Sequence, residues 1–188
     1  MKGMGSDVAG TTVEAVQPRE PQEPLTPVKP ISQAELGELT VESGAGMKIF
    51  GRTLKVVTDS RVELYNLTDR VRELVKASGI KAGFVIISSL HTTTALFINE
   101  FQAALMADLK SFLNRLANKE HGYLHNCEDC SDCDRANADS HIKAMVLGHN
   151  LTLPVHEGAP LLGQWQSILF AELDGPRERQ LTAQVIGI

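Results

Sequence analysis

The sequence predicts an α+β domain in which mixed or antiparallel β-sheets are combined with two helices. Short segments with alternating or continuous apolar residues, which are typical of strands, intermix with two longer segments whose apolar residues recur every three to four positions, as in helices. The two kinds of segment do not alternate regularly, as they would in a parallel sheet built from strand–helix–strand units. The patterns therefore favour a compact α+β domain.

The first half of the domain is predicted to contain three strands and one helix. KIFGRTLKVVT, RVELY and GFVIISS are the predicted strands, and LTDRVRELVKASG, before the last of them, is the predicted helix. Asn66 or Thr68 could cap the start of this helix, and Gly79 suits its end. Its apolar face consists of Leu67, Val71, Leu74 and Val75.

The second half is predicted to contain the longer helix and the remaining strands. ALFI is a short strand, and NEFQAALMADLKSFLNRLA after it is the helix, with Asn99 as its expected N-cap and Gln102 in the reciprocal capping position. LTLPV, QSILFAEL and QLTAQVIGI are strands, and the last two are joined by the turn sequence Asp174-Gly175-Pro176. The apolar stripe of the helix consists of Phe101, Leu105, Leu109, Phe112, Leu113 and Leu116.

Residues 1–45 differ in composition from the rest of the chain. Prolines recur at every third position from Pro18 to Pro30, which matches the three-residue turn of polyproline II. The segment lacks the apolar residues that a core requires, so a disordered tail is expected, with a ligand for a proline-binding domain as the alternative. The folded domain is therefore predicted to span residues 46–188.

The charge and hydropathy of the chain exclude several classes of function. The formal net charge is −5, which argues against a general binder of nucleic acid or of anionic membranes, because both require a positive surface. No apolar run approaches the roughly 20 residues that cross a bilayer, and the first ten residues lack the apolar stretch of a signal peptide. A cytoplasmic protein with a small-molecule partner is expected.

Three histidines lie in polar surroundings and form a candidate metal site. His91 precedes three threonines between two apolar runs, His125 lies in GYLHN, and His141 lies in NADSHIKA. Three neutral imidazoles can hold a divalent ion such as zinc and leave one position open for water or substrate. Asp139 or Glu100 could orient the rings. The alternative is that the histidines are exposed or satisfied within the core, and that at least one of the threonines reflects strand propensity alone.

The three cysteines, Cys127, Cys130 and Cys133, lie together in CEDCSDC. Three thiolates need a fourth ligand to close a zinc or iron–sulfur site, and the interleaved acidic residues disfavour the thiolate form. We therefore expect an exposed, reduced loop. The alternatives are a second metal site, or one cysteine that contributes a ligand to the histidine site.

Several segments together resemble the YjbQ-like family, whose members are known as uncharacterised proteins or secondary thiamine-phosphate synthases. The segments are HTTTALFINE, YLHN, DRANADSHIKA, LGHNLTLPVHEGAPLLGQWQ and FAELDGPRERQ, and the resemblance covers about residues 47–188. It implies a compact α+β fold that assembles as a homotrimer, with a metal-binding cleft near the subunit contacts. Gln164, Asn150 and the cysteine-rich loop depart from the family's usual pattern, which leaves substrate preference open.

The resemblance, together with the positions of the polar residues, predicts roles for individual residues. The metal ligands would be His91, His125 and His141, with zinc as the expected ion and magnesium as an option for a diphosphate substrate. The catalytic residues would be Glu100, Asp139 and Lys143. The substrate-binding residues would be Thr92, Thr93, Asn99, Arg135, Asn137, Trp165 and Gln166.

Alternatives stay open for three of these residues. Trp165 is the only tryptophan and could instead lie in the core or at a subunit contact. Arg135 and Lys143 could bind a phosphate group, or they could be solvated surface charges. These residues therefore do not define the substrate.

Three functions follow as hypotheses. The resemblance implies a transferase that condenses hydroxymethylpyrimidine diphosphate with thiazole phosphate to give thiamine phosphate, either as its main activity or as a side activity. The alternatives are a metal-dependent hydrolase of a small phosphorylated or acyl metabolite, with Glu100 or Asp139 as base, and a non-catalytic trimeric module that binds a metal or a metabolite.

Overall fold

The protein forms two antiparallel sheets and three α-helices in the part of the chain that the structure describes. The structure is a computed structural model, and it describes residues 37–42, 46–132 and 134–188. The helices are α1 (Thr68–Ser78), α2 (Ala103–Leu116) and α3 (Ala138–Leu147), and a 3₁₀ turn spans Leu124–Asn126. The strands are β1 (Gly37–Glu42), β2 (Lys48–Val57), β3 (Glu63–Asn66), β4 (Ala82–Ser89), β5 (Thr94–Asn99), β6 (Asn150–His156), β7 (Ala159–Pro160), β8 (Ser167–Glu172) and β9 (Glu178–Gly187).

The strands divide into a large and a small sheet. The large sheet has the order β1-β2-β9-β4-β6-β7, and the small sheet has the order β3-β8-β5. Neighbouring strands pair antiparallel throughout both sheets. The predicted α+β class is confirmed, and the pairing is antiparallel.

The main core lies between one face of the large sheet, one face of the small sheet and α1. Alternate residues of β2, β4 and β9 point into it, because successive side chains of a strand face opposite sides. The small sheet contributes Leu96, Ile168 and Phe170, and α1 contributes Val71, Leu74 and Val75. The apolar face predicted for α1 is therefore the face that it buries.

A second core covers the other face of the small sheet. Leu64, Leu169 and Ala171 point into it and pack with residues of α2 and α3, which include Met106 and Leu113. The central strand β8 is therefore covered on both faces, which explains its nearly continuous apolar sequence SILFAE.

The helix boundaries correct one of the predicted caps. Helix α2 begins at Ala103, and Gln102 is its N-cap because its side-chain oxygen accepts a hydrogen bond from the Leu105 amide. Asn99, the expected cap, instead accepts a hydrogen bond from the amide of Glu100 at the end of β5. In α1, the Asn66 side chain accepts from the Thr68 amide, and Gly79 ends the helix with a positive φ of 71°.

Helix α3 was not predicted, so the expected number of two helices is wrong. Its inner side carries the ion pair Asp139–Lys143, one helical turn apart, in place of two apolar residues. The small residues Ala138, Ser140 and Ala144 make up most of the rest of its buried surface. A search for apolar periodicity misses a helix whose buried side is charged and small.

Strand β1 lies within the range predicted as a tail. Its backbone pairs with β2 from Gly37 opposite Thr53 to Glu42 opposite Lys48. Residues 1–36, with the proline repeat, and residues 43–45 lie outside the described residues, so the boundary at residue 46 stays a prediction. Among the described residues, no helix combines the length and the apolar character needed to cross a bilayer.

The double covering of β8 leads to a prediction on stability. Phe170 is 0% exposed in the main core, whereas Phe112 on α2 is 50% exposed. We expect Phe170→Ala to lower the free energy of unfolding by about 3–5 kcal/mol, because it removes a large buried side chain and leaves a cavity. The matched variant Phe112→Ala should cost no more than about 1 kcal/mol. Urea denaturation measures both values, and equal losses would contradict the layered arrangement.

Candidate functional site

A polar cleft lies where the two sheets meet at one end. Its volume is about 350 Å³. Backbone hydrogen bonds extend the strand pairs up to the cleft: the Leu173 amide donates to the Thr93 carbonyl beside β8 and β5 of the small sheet, and the Leu90 amide donates to the Gln180 carbonyl beside β4 and β9 of the large sheet. The lining comprises Leu90, His91, Thr92, Thr93, Arg135, Asn137, His141, Asp174, Arg177 and Arg179. The fold thus gathers residues from the β4–β5 connection, the start of α3 and the β8–β9 connection.

A buried ion pair forms the base of the cleft. Arg179 donates two hydrogen bonds of 2.6 Å to the two carboxylate oxygens of Glu172, and one of 3.2 Å to the Thr93 hydroxyl. Both partners of the pair are buried, and Thr58 donates a further hydrogen bond to Glu172. Because Glu172 is the last residue of β8 and Arg179 is the second residue of β9, the pair joins the small sheet to the large one.

Asp174 continues this network toward the histidines. It accepts hydrogen bonds from the Asn137 amide nitrogen and from Arg177, both at 2.7 Å. Since the nitrogen of the Asn137 side chain faces Asp174, its oxygen faces His125, whose Nε2 lies 3.2 Å away. Nε2 of His125 is therefore the donor in this contact. The result is a chain of polar contacts from the end of β8 to the 3₁₀ turn.

His141 and His125 lie side by side. Their ring centroids are 5.1 Å apart and the rings are nearly perpendicular. Burial lowers the pKa of His141 and the neighbouring His125 lowers it further, while Asp174 and Asp139 offset part of the effect. His141 is therefore held as the neutral imidazole at the wall of the cleft.

His91 stands on the other side of the cleft. Its Nε2 accepts a hydrogen bond of 2.8 Å from the Gln180 amide, so the proton of the neutral ring lies on Nδ1. Burial lowers the pKa of His91, the positive charge of Arg179 lowers it further, and Glu172 acts in the opposite direction. His91 is thus fixed as a neutral donor of a hydrogen bond.

The histidines do not form the expected metal site. A ligand nitrogen must offer its lone pair to the ion, but the lone pair of Nε2 in His91 already accepts the Gln180 amide and Nδ1 carries the proton. Among residues 37–42, 46–132 and 134–188, no group of three or more His, Cys, Asp or Glu side chains could hold a metal ion. The cleft brings His91 and His141 together, but the donor set does not fit zinc.

Two of the predicted catalytic residues lie behind the cleft. Asp139 accepts hydrogen bonds from Lys143 at 2.9 Å and from Arg61 at 2.8 Å. Burial alone would raise the pKa of the Asp139 carboxyl, but the hydrogen bonds and charges of Lys143 and Arg61 outweigh it, and the pKa lies below its ordinary value. Lys143 is itself buried and also donates to Asn114 of α2. The pair fastens α3 to its surroundings.

The remaining predicted residues fall into two groups. Thr92, Thr93, Arg135 and Asn137 lie in the cleft lining. Glu100 and Asn99 lie at the far end of β5, and Trp165 is 68% exposed in the turn before β8. Gln166 accepts a hydrogen bond from the Gly163 amide within that same turn. The individual roles of all these residues stay predictions.

Sequence reasoning missed the residues that organise the cleft. The segment ELDGPRER contains Glu172, Asp174, Arg177 and Arg179. It was interpreted as the end of a strand with a turn and as part of the family resemblance, and none of these four residues was given a role in the site. The acidic and basic residues that directly follow the apolar run SILFA were an available signal for a charged cluster at the end of this strand. Charged residues that follow a buried strand must find partners, and here they find one another.

The cysteine loop also differs from its prediction. Cys127 and Cys130 form a disulfide with a Cα–Cα separation of 5.1 Å, so the expected reduced loop is wrong. Cys133 lies outside the described residues.

The fold and the cleft define an antiparallel α+β domain with a histidine- and arginine-lined site, and the family can now be stated. The family model described as "UPF0047 protein YjbQ-like" matches residues 52–188. The chain belongs to this family, which confirms the resemblance seen in the sequence.

Relatives and solved structures agree with this assignment. A UPF0047 protein of Methanothermobacter thermautotrophicus is 40% identical over 147 residues, which is 78% of this chain and 99% of the relative. A YbjQ-like protein of unknown function from Sulfolobus solfataricus has a TM-score of 0.70 and 36% identity, over 76% of this chain and 99% of that one. A hypothetical protein from Aeropyrum pernix has a TM-score of 0.67 and 32% identity, over 73% and 98% of the two chains.

These findings correct the predicted function. The family model, the Methanothermobacter relative and the Sulfolobus structure carry the designation UPF0047 or YjbQ-like (spelled YbjQ-like for the Sulfolobus protein), and none of these names refers to thiamine synthesis or to a metal. Together with the unsuitable donor set in the described residues, they overturn the metal-binding thiamine-phosphate synthase. The metal-dependent hydrolase and the metal-binding form of the trimeric module are overturned for the same reason, whereas the metabolite-binding form of that module stays a prediction.

The lowered pKa values of His91 and His141 predict how stability depends on pH. Above the ordinary histidine pKa of 6.5, both rings are neutral in the folded and unfolded chains. Below it, the unfolded chain takes up protons that the folded chain refuses, so the free energy of unfolding falls as the pH falls. Urea denaturation between pH 8 and pH 5 measures this slope.

Two variants test whether His91 and His141 cause this dependence of the free energy of unfolding on pH. The double variant His91→Asn, His141→Asn should show a shallower fall, and His156→Asn, at an exposed position, should leave the slope unchanged. An unaltered slope in the double variant would contradict the burial of the two rings.

Proposed function

We propose that the cleft binds a small molecule through an anionic group, phosphate or carboxylate, and that the protein is an enzyme in which His141 transfers a proton. The observation that supports this most is the pairing of two neutral imidazoles with three arginines in one small cleft. Arginine suits planar or tetrahedral anions, because its donors form a fixed fork.

The charges of the cleft favour an anion. Arg179 is balanced by Glu172, and Arg177 is balanced by Asp174. Arg135 lies exposed at the rim and adds a further positive charge. With His91 supplying a hydrogen-bond donor from Nδ1, the lining offers an anion a net positive charge together with directed donors.

The neutral state of His141 suits it to act as a general base. A base must be unprotonated at the working pH, and burial keeps this ring neutral. His125 lies beside it and is held by Asn137, which in turn is held by Asp174. In this proposal the arginines bind the anionic group and His141 takes a proton from the neighbouring part of the substrate.

Titration with inorganic phosphate in a buffer that contains a chelator tests the binding step. We expect saturable binding that shifts the NMR signals of His91 and His141. Arg135→Gln should raise the Kd by about three- to ten-fold, because it removes a charge-assisted hydrogen bond worth roughly 1 kcal/mol. Arg72→Gln, at an exposed position of α1 where the side chain pairs with Asp69, should leave the Kd unchanged. Equal effects of both variants would contradict a specific anion site.

A screen of phosphorylated and carboxylated metabolites tests the chemical step. Reactions followed by NMR in D₂O reveal both bond changes and the exchange of a substrate proton for deuterium. We expect His141→Asn to abolish turnover while it retains phosphate binding within a few-fold. Turnover that survives this variant would contradict the role of His141.

We also propose that the protein self-associates as the homotrimer that the family resemblance implied. The outer face of the large sheet supports self-association, because none of the described helices packs against this face and α1 lies on the opposite one. Phe84 is 55% exposed on this face and lies opposite Ile186 of β9 and Pro154 of β6. Apolar residues in such a position are typical of contact surfaces.

Light scattering after size-exclusion chromatography tests the assembly. The unaltered chain should have three times the mass of the monomer, and Phe84→Glu should shift it toward the monomer. Phe112→Glu, a similarly exposed position on α2, should not. A monomeric unaltered chain would contradict the proposal.

A further inference from the structure

The disulfide Cys127–Cys130 lies next to the segment that carries part of the cleft. It begins directly after the 3₁₀ turn Leu124–Asn126, which holds His125. Cys130 is exposed to solvent, and Cys127 is half-buried. Cys130 is therefore the more accessible of the two cysteines to a reagent from solvent, and Cys127 is the more protected one.

Two contacts tie the 3₁₀ turn to the start of α3. Asn126 accepts a hydrogen bond of 3.0 Å from the Ala138 amide, one of the first amides of α3 that has no partner within the helix. His125 contacts the Asn137 oxygen at 3.2 Å. The segment between these anchors includes the disulfide and Arg135 of the cleft rim. The cross-link thus restrains the same stretch of chain that presents His125 and Arg135.

The sequence around the pair decides which reductant can open it. Glu128 and Asp129 lie between the cysteines, and Asp132 and Asp134 follow closely. Nearby carboxylates disfavour thiolates, so the reduced form is not stabilised as it is in strongly oxidising Cys-x-x-Cys pairs. A single thiol that attacks Cys130 would be expelled again by the adjacent Cys127. A dithiol can complete the reaction, because its second thiol forms a cyclic disulfide with its first and so releases Cys130.

We propose that Cys127 and Cys130 are a redox-active pair, reduced by a dithiol, whose state controls the order of residues 124–132 and 134–137 at the cleft. A thiolate of the dithiol attacks Sγ of Cys130, a mixed disulfide forms, and Cys127 leaves as a thiolate that takes up a proton. The second thiol of the reductant then attacks the reductant's first sulfur, which is bonded to Cys130 in the mixed disulfide. Cys130 leaves as a thiolate and is likewise protonated. Two electrons and two protons pass to the protein, and the dithiol leaves as its disulfide.

Reduction removes the cross-link but leaves the hydrogen bonds that follow it. The turn is then held by the contacts Asn126–Ala138 and His125–Asn137 and by the amide hydrogen bonds of Cys130 and Ser131 to the Cys127 carbonyl. A segment with few buried apolar contacts opens more readily once a covalent restraint is lost. The oxidised state is therefore the one in which His125 and Arg135 are held in place.

Alkylation with mass spectrometry of the full chain tests the exchange itself. Before reduction, Cys127 and Cys130 should resist alkylation, and after treatment with dithiothreitol each should carry one alkyl group. Glutathione at the same thiol concentration should open less than about one-tenth as much protein, because a monothiol is expelled from the mixed disulfide. Alkylation of both cysteines in protein purified without a reductant would overturn the pair. Equal reduction by glutathione would overturn its preference for a dithiol.

Amide hydrogen exchange tests the effect on the cleft segment. Residues 124–132 and 134–137 and the first turn of α3 should exchange at least about ten-fold faster after reduction, while β8 stays unchanged. The double variant Cys127→Ser, Cys130→Ser should behave as the reduced protein does with or without dithiothreitol. Cys133→Ser should retain the full response. Identical exchange in both redox states would overturn the control of the segment.

A third measurement joins this inference to the anion site, and this part alone rests on the proposed function. Phosphate should bind the reduced protein several-fold more weakly than the oxidised protein, because Arg135 is less well placed. If phosphate binds neither form, the proposed function fails while the redox pair stands. If phosphate binds both forms equally and exchange is unchanged, the redox control fails while the anion site stands.

Discussion

The buried ion pair between Glu172 and Arg179 is the interaction on which the arrangement of the cleft depends. It joins the last residue of β8 in the small sheet to the second residue of β9 in the large sheet, and both side chains are almost fully buried. The removal of two charges from water is costly, and here that cost is offset because the carboxylate oxygens of Glu172 accept well-aligned hydrogen bonds. Arg179 donates to both carboxylate oxygens of Glu172, and Oε1 of Glu172 also accepts hydrogen bonds from the amides of Leu173 and Asp174.

The hydrogen bonds from the Leu173 and Asp174 amides to Glu172 link the ion pair to the histidine side of the cleft. They fix the backbone at the end of β8, so that the Asp174 side chain meets Asn137 and Arg177. Asn137 then holds His125, and His125 lies against His141. On the other side, the Arg179 charge lies close enough to lower the pKa of His91. Burial is the main cause of the neutral state of both cleft histidines; the network adds the positive charge of Arg179 beside His91 and, through Asn137, holds His125 beside His141.

Much of the fold could be predicted from the sequence, because its signals are local. The stripe of Val71, Leu74 and Val75 determines which face of α1 is buried, and QLTAQVIGI forms the predicted strand; both predictions are confirmed. Helix α3 could not be found in this way, since Asp139 and Lys143 occupy its inner side and satisfy each other. Its identification requires knowledge of a pairing that only the folded chain contains.

The candidate site was predictable only in part. His91 and His141 do meet in one cleft, although 50 residues separate them along the chain. The prediction that they bind a metal was wrong, because the sequence does not show which partner each ring nitrogen of a histidine has. In His91 that partner is the backbone amide of Gln180, a contact that no sequence motif encodes. The arginines and acids of ELDGPRER were visible, but their pairing depends on how two separate sheets are joined.

A double-mutant cycle on Glu172 and Arg179, measured by urea denaturation and by the NMR signal of His141, tests the central role of this pair most directly. Glu172→Gln and Arg179→Met should each cost about 3–5 kcal/mol and shift the His141 signal, since each leaves a buried charge without its partner. The double variant should cost less than the sum of the two by at least about 2 kcal/mol. Additive losses with an unshifted His141 signal would contradict the account, because the pair would then be neither coupled nor linked to the cleft.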